Sequence, residues 1–190
     1  MKMNLRVNRF LLCLSVLAVI VPAALALTAT EPRASSGPAA KLIQVEGQVS
    51  VNGTSAISGA TIFSDSTVTT AKGSSAVVSL AKLGRVEVVE ETTMKLSFTD
   101  GSVSVEMLEA GRVRVSSSPS ATATVTTRDG QVVADGAGRQ MFTVDTKCGN
   151  TFVAVKTGRV ELRAGNSVKQ IAAGGQDTAG TATPGCASAP

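Results

Sequence analysis

Alternating hydropathy, turn chemistry and one repeated five-residue figure predict an all-β chain. The expectation is an irregular sandwich or roll of about ten to thirteen short strands, preceded by an N-terminal signal or anchor helix. Between Lys41 and Ala173 apolar and polar residues alternate in run after run, with no long helical apolar stripe. Turn dipeptides such as Asn-Gly, Asp-Gly and Lys-Gly punctuate the runs. A Gly, a polar residue and then Val-x-Val or Val-x-Leu recur at residues 47–51, 84–88, 101–105, 111–115 and 158–162. The 190 residues are 43% hydrophobic, enough for a core of ordinary size, and contain five Phe but no Tyr or Trp.

Residues 1–26 have the pattern of a secretory signal peptide. Lys2, Arg6 and Arg9 give a positive start, residues 10–21 are apolar except for Ser15, and Pro22 breaks the helix. Ala24 and Ala26 then supply the small residues that a signal peptidase reads. Left uncut, residues 10–27 are about long enough to anchor the chain in a bilayer, so a membrane contact is expected only through them. Cys13 sits early in the apolar run behind Leu12, which does not suit a lipoprotein. Both alternatives place the rest of the chain outside the cytoplasm, either periplasmic or secreted, or held at the inner membrane with the β domain outside.

Residues 27–40 are rich in Ala, Ser, Thr and Pro and read as a linker. The β domain is expected over residues 41–175. Strands flank Gly47, and Asn52-Gly53 is the strongest two-residue hairpin signal, because both positions of a type I′ turn need positive φ. Residues 57–68, 76–80 and 85–89 follow. Residues 94–98 and 103–107, joined through Asp100-Gly101, form the cleanest alternating hairpin. Further strands are expected over 112–115, 123–127, 131–134, 141–144, 148–162 and 168–171. The recurring Gly figure keeps no constant spacing, which argues against a strict solenoid. Residues 176–190, composed of small and polar residues, read as a disordered tail.

The order of these motifs resembles the FecR-like domain, a β-rich extracytoplasmic module named for a bacterial ferric citrate regulator. In the first half the resemblance rests on residues 47–51, 59–70, Gly73-Ser74 and 76–80. In the second half it rests on Val125-Thr126-Thr127 with Gly130, then Gly138 with Phe142 and Val144, then Val153-Ala154-Val155 with residues 158–162, and Ile171-Ala172-Ala173-Gly174. It covers about residues 42–176. Arg139-Gln140-Met141 stands where the family pattern has a Gly-Thr pair. The resemblance implies an extracytoplasmic β module. Sigma-regulating members add a long cytoplasmic N-terminal region; the roughly nine residues before the apolar run are too few to form one, so that regulation is not expected to carry over.

Charge and residue inventory narrow the chemistry. The formal charge of +4 is concentrated in the first nine residues, and from Leu27 onward 15 Lys and Arg face 14 Asp and Glu. With no basic run and no aromatic platform, no nucleic-acid partner is expected. The chain has no His, and therefore lacks the commonest general base and metal ligand. Glu87, Glu90, Glu91, Glu106 and Glu109 are the carboxylates a glycosidase would draw on, and the simpler expectation for them is solvated strand faces. Asp129-Gly130 and Asp135-Gly136 read as turns rather than calcium ligands. No catalytic, cofactor or metal residues are assigned, and no cofactor is expected. Cys148 and Cys186 are a possible disulfide, closing a loop of about 38 residues and stabilising by up to roughly 4 kcal/mol; alternatively Cys148 is a core residue and Cys186 a free or intermolecular thiol.

The expected function is that of an exported, non-enzymatic binding or scaffold domain contacting an envelope protein or polymer. The alternative is a membrane-anchored extracytoplasmic sensor or signalling partner related to FecR regulators.

Overall fold

A computed structural model describes residues 39–181. The expected signal or anchor helix, Ala24, Ala26 and Cys186 lie outside the described residues. Within them, seventeen strands form two sheets. The first sheet holds β1 (Ala39–Glu46), β4 (Thr61–Phe63), β6 (Ser75–Ser79), β7 (Gly84–Val88), β10 (Gly111–Ser117), β13 (Gln140–Lys147), β14 (Asn150–Thr157) and β17 (Gln176–Gly180). The second holds β2 (Val49–Val51), β3 (Thr54–Ser55), β5 (Ser66–Thr70), β8 (Thr92–Phe98), β9 (Ser102–Met107), β11 (Thr122–Thr126), β12 (Gln131–Ala134), β15 (Arg159–Ala164) and β16 (Ser167–Ala172). The helical content of the described residues is a single 3-10 turn at Ala81–Leu83.

Strands lie in each sheet nearly in chain order: 17-14-13-10-7-6-1-4 in the first sheet and 16-15-12-11-9-8-5-2-3 in the second. The chain therefore shuttles between the sheets, adding a strand or a hairpin to one before crossing to the other. Three of the five Gly figures, at Gly47, Gly111 and Gly158, fall where the chain crosses, while Gly84 and Gly101 fall between neighbouring strands of one sheet. All the pairings are antiparallel except β9 with β11, which are separated in the chain by β10 in the opposite sheet.

The strand count exceeds the expected ten to thirteen. Strands β2, β3 and β4 are two or three residues long, too short to display an alternation of their own. Residues 176–180 correct the expected tail. They form β17 on the edge of β14, held by backbone pairing rather than by apolar burial, with Ala179 as their buried residue. The hairpin signals hold as expected. Asn52 and Gly53 have φ of 51° and 77° between the paired Val51 and Thr54, and β8 pairs with β9 from Met94–Met107 to Phe98–Val103.

Alternation sends one side of most long strands into a common core, while the edge strand β16 buries only Ile171. Val78, Val86, Val88, Val113, Val144 and Val153 come from the first sheet, and Val68, Leu96, Val105, Val125, Val132 and Leu162 from the second. Phe142 is the largest fully buried side chain. Burying each such aliphatic group stabilises by about 1.5–3 kcal/mol relative to exposure, and β-branched Val suits the pleated surface that presents it.

Three of the crossings between sheets share one device. At the β1–β2, β9–β10 and β14–β15 corners the chain passes through Gly47, Gly111 and Gly158, and the next residue gives its backbone N–H to a buried side chain. Gln48 N–H donates to Ser74 Oγ (2.9 Å), Arg112 N–H to Thr92 Oγ1 (2.9 Å) and Arg159 N–H to Gln140 Oε1 (2.6 Å). These acceptors are at most 4% exposed. At Gly158 the backbone has φ of +85°, and a Cβ would overlap the amide of Gln140. At Gly111 a Cβ would come within 2.8 Å of the Thr92 backbone Cα. The glycine thus makes room for the group that satisfies its neighbour's N–H.

Gly158→Ala is therefore expected to cost about 2–3 kcal/mol, combining positive φ with loss of the Gln140 contact, as a denaturant-melt comparison with wild type would show. Ser117 behaves in the opposite sense: it is 2% exposed and its Oγ has no hydrogen-bond partner among the described residues. Ser117→Ala should leave stability unchanged or raise it by up to about 1 kcal/mol in the same assay.

Candidate binding faces

The polar half of each alternating strand makes an outer face. On the second sheet, Thr67, Lys95, Glu106, Thr126, Gln131 and Arg163 stand in one register row from β5 to β15. Ser97, Ser104, Thr124, Val133, Glu161 and Gln170 form the adjacent row. Arg159, Glu161 and Arg163 lie on the wet side of β15, as the alternation predicts, and Arg163 donates to Glu161 Oε2 at 2.6 and 3.1 Å. On the first sheet, Arg114 pairs with Glu87, and Arg112 binds Asp145 Oδ2 through Nε at 2.8 Å and Nη2 at 2.6 Å.

The candidate carboxylates are not brought together. Glu87 and Glu106 belong to different sheets. Glu90 accepts the Gly73 N–H at 2.7 Å and, with Glu91, makes the β7–β8 turn. Glu109 lies in the β9–β10 connection. Asp135 Oδ1 accepts the Ala137 N–H at 3.0 Å, a turn-capping role. Asp129 Oδ2 accepts from Thr151 Oγ1 at 3.2 Å, and Thr151 meets Thr127 Oγ1 at 2.7 Å beneath the Gly130 turn. Among the described residues no group of three or more His, Cys, Asp or Glu is placed to hold a metal ion.

Cys148 and Gly149 form the two-residue turn between β13 and β14, with φ of 58° and 77° between the paired Lys147 and Asn150. That is type I′ geometry, unusual for Cys; the following Gly between two alternating runs was its available sequence signal. Cys148 is disulfide-bonded, and its partner lies outside the described residues. Next to it is a depression of about 240 Å³, lined among others by Leu108, Glu109, Asp129 and Lys147. Gly180, the last residue of β17, pairs with Asn150, so the chain leaves the described region beside this turn.

The edge strands β16 and β17 belong to different sheets and are joined by an ion pair, with Lys169 Nζ donating to Asp177 Oδ1 at 2.8 Å. That bond, with the Thr178 N–H at 2.7 Å, holds the Asp177 carboxyl below its usual value near 3.8, against a small opposing effect of burial. Sequence reasoning missed this pair, because neither residue's strand partner points to the other. Among the described residues no helix is long and apolar enough to cross a membrane.

Comparison with known proteins shows the fold alone. No family model matches the chain, and no curated protein does. Two solved structures, at 2.50 and 1.65 Å resolution, of a "putative anti-sigma factor" from Parabacteroides distasonis ATCC 8503 are similar, each with a TM-score of 0.51 and 23% identity. Each match covers 59% of this chain and 53% of the other, so the similarity spans about half of that protein's length.

Lys169→Ala is expected to move the Asp177 titration upward, part of the way to the ordinary carboxylate range because the Thr178 N–H remains, as read by NMR. Because the folded carboxyl titrates below its unfolded value, its contribution is present above about pH 3.8 and is lost as the pH falls through the folded value. Lys169 and Asp177 are largely solvated, so at neutral pH the substitution should cost less than about 1 kcal/mol. We propose that Cys186 is the partner of Cys148, since only a short span separates it from Gly180. Non-reducing peptide mapping should recover these two cysteines together, and recovery of Cys148 joined to Cys13 would overturn the assignment.

Proposed function

We propose that this chain is an exported, non-enzymatic binding or scaffold domain of the bacterial envelope whose outer sheet faces contact a protein or envelope polymer. The observation that supports it most is the disposition of charge. Arg112 with Asp145, Arg114 with Glu87 and Arg163 with Glu161 pair on open strand faces and are spread over both sheets. Broad strand faces suit recognition of an extended partner, whereas catalysis calls for acid, base and substrate groups converging in one cleft. The compartment rests on the signal pattern of residues 1–26.

A second reading is a membrane-anchored extracytoplasmic sensor or signalling partner related to FecR regulators. The motif order over residues 42–176 favours it, as does the likeness in fold to the Parabacteroides protein.

The N-terminus of the protein isolated from cells separates the two. A start at Leu27 in the soluble fraction is expected for the first, whereas intact Met1 in the membrane fraction would replace it with the second. Turnover of peptidoglycan or a model peptide by the purified chain, abolished by substituting one carboxylate, would overturn both.

A further inference from the structure

We propose that the outer face of the first sheet carries a docking row for an acidic, extended segment of a partner protein. The strand registers place Lys41, Ser79, Arg85, Ser116 and Met141 side by side across β1, β6, β7, β10 and β13. Lys156 stands beside Met141, where a bulge leaves it unpaired between Val155 and Thr157 of β14. Their chain neighbours Leu42, Val78, Val86, Val115, Phe142 and Val155 are buried in the core, which directs the row outward.

Three cations in this row, Lys41, Arg85 and Lys156, are exposed, and among the described residues no carboxylate lies within ion-pair distance of them. The acid on β7, Glu87, is held by Arg114. Arg139, exposed and likewise without an ion-pair partner among the described residues, rims the strand end. Two depressions of about 310 Å³ each meet at Arg85, Ser116 and Met141, which line both. Ile43, set out by the β1 bulge and 51% exposed, lines one of them.

Charge and spacing identify the occupant. Adjacent strands lie about 4.8 Å apart, so Arg85 and Lys156, three strands apart, are about 14 Å apart at the backbone. An extended peptide rises about 3.3 Å per residue, so same-side residues four positions apart are separated by about 13 Å. Two acids at that interval reach Arg85 and Lys156, and the same-side residue midway between them falls between Ser116 and Met141, within reach of the long Met141 side chain. An apolar residue there gains a contact that a uniformly charged polymer would not. With no Tyr or Trp in the chain, the row offers no stacking platform for a nucleic acid. This row deepens the binding-domain reading and rests on it.

The test uses the full chain and fluorescein-labelled 12-residue peptides in anisotropy titrations. A peptide with the repeat Glu-Ser-Leu-Ser should bind more tightly than its Lys-Ser-Leu-Ser and Glu-Ser-Ser-Ser counterparts. Arg85→Gln with Lys156→Gln should weaken it about tenfold, with most of the loss disappearing at high salt. Met141→Ser should weaken the Leu-containing peptide while leaving the all-Ser acidic peptide unchanged. These side chains are half-buried or exposed, and unchanged thermal melts would show that the variants fold. Equal binding of the acidic and basic peptides, insensitivity to the double variant, or tighter binding of heparin or an oligonucleotide through the same residues would overturn the row. A chain that captures an envelope partner but ignores the acidic peptide sinks the row alone; substrate turnover sinks the binding-domain reading as well.

Discussion

At the β14–β15 corner Gly158 leaves room for the buried amide of Gln140, and that amide takes the N–H of Arg159. A corner between two sheets breaks the strand ladder, so the first N–H beyond it needs an acceptor that the ladder cannot supply. Ser74 and Thr92 provide that acceptor at the two other corners built this way, each against a glycine. Without these contacts each of the three corners would bury an unpaired donor, costing about 1–3 kcal/mol. The Val-rich core can close only because the chain turns where it does.

The same path determines what the molecule offers to a partner. Each crossing extends one sheet by a strand or a hairpin, so side chains far apart in the chain become neighbours across a face. Cross-strand contacts then join charges in pairs, as in Arg114 with Glu87 and Arg112 with Asp145, or leave a row of cations without acids, as in Lys41, Arg85 and Lys156. The edges are treated differently. Lys169 and Asp177 link the outermost strands of the two sheets at one end, while at the other end β3 and β4 are very short, which limits the unpaired backbone they expose.

Much of the fold was legible residue by residue. The alternation in 94–98 and 103–107 identified the β8–β9 hairpin and its inward side chains, and Asn52-Gly53 identified the β2–β3 turn. The recurring Gly figure was visible too, but its cause was not. Gln140 lies well before Gly158 in the chain, and as a polar residue in a stretch that departs from the family pattern it gives no sign of being buried. The turn at Cys148 was hidden because Cys rarely adopts positive φ, and β17 because backbone pairing on an edge needs no apolar pattern. For the candidate faces, the sequence separated wet residues from buried ones, yet it could not say that Glu87 and Glu106 belong to different sheets.

By itself the sequence determined strand identity and facing, because a period of two maps directly onto a strand with one buried and one wet side. It also marked turns such as Asn52-Gly53, since positive φ favours Gly and Asn, though not those at Glu91 and Cys148. Tertiary structure alone decided which strand lies beside which, and so which distant cations share a row and which side chain closes each corner. Local pattern contains no information about register between strands separated by tens of residues; that is settled by packing in the common core and by the geometry of the crossings.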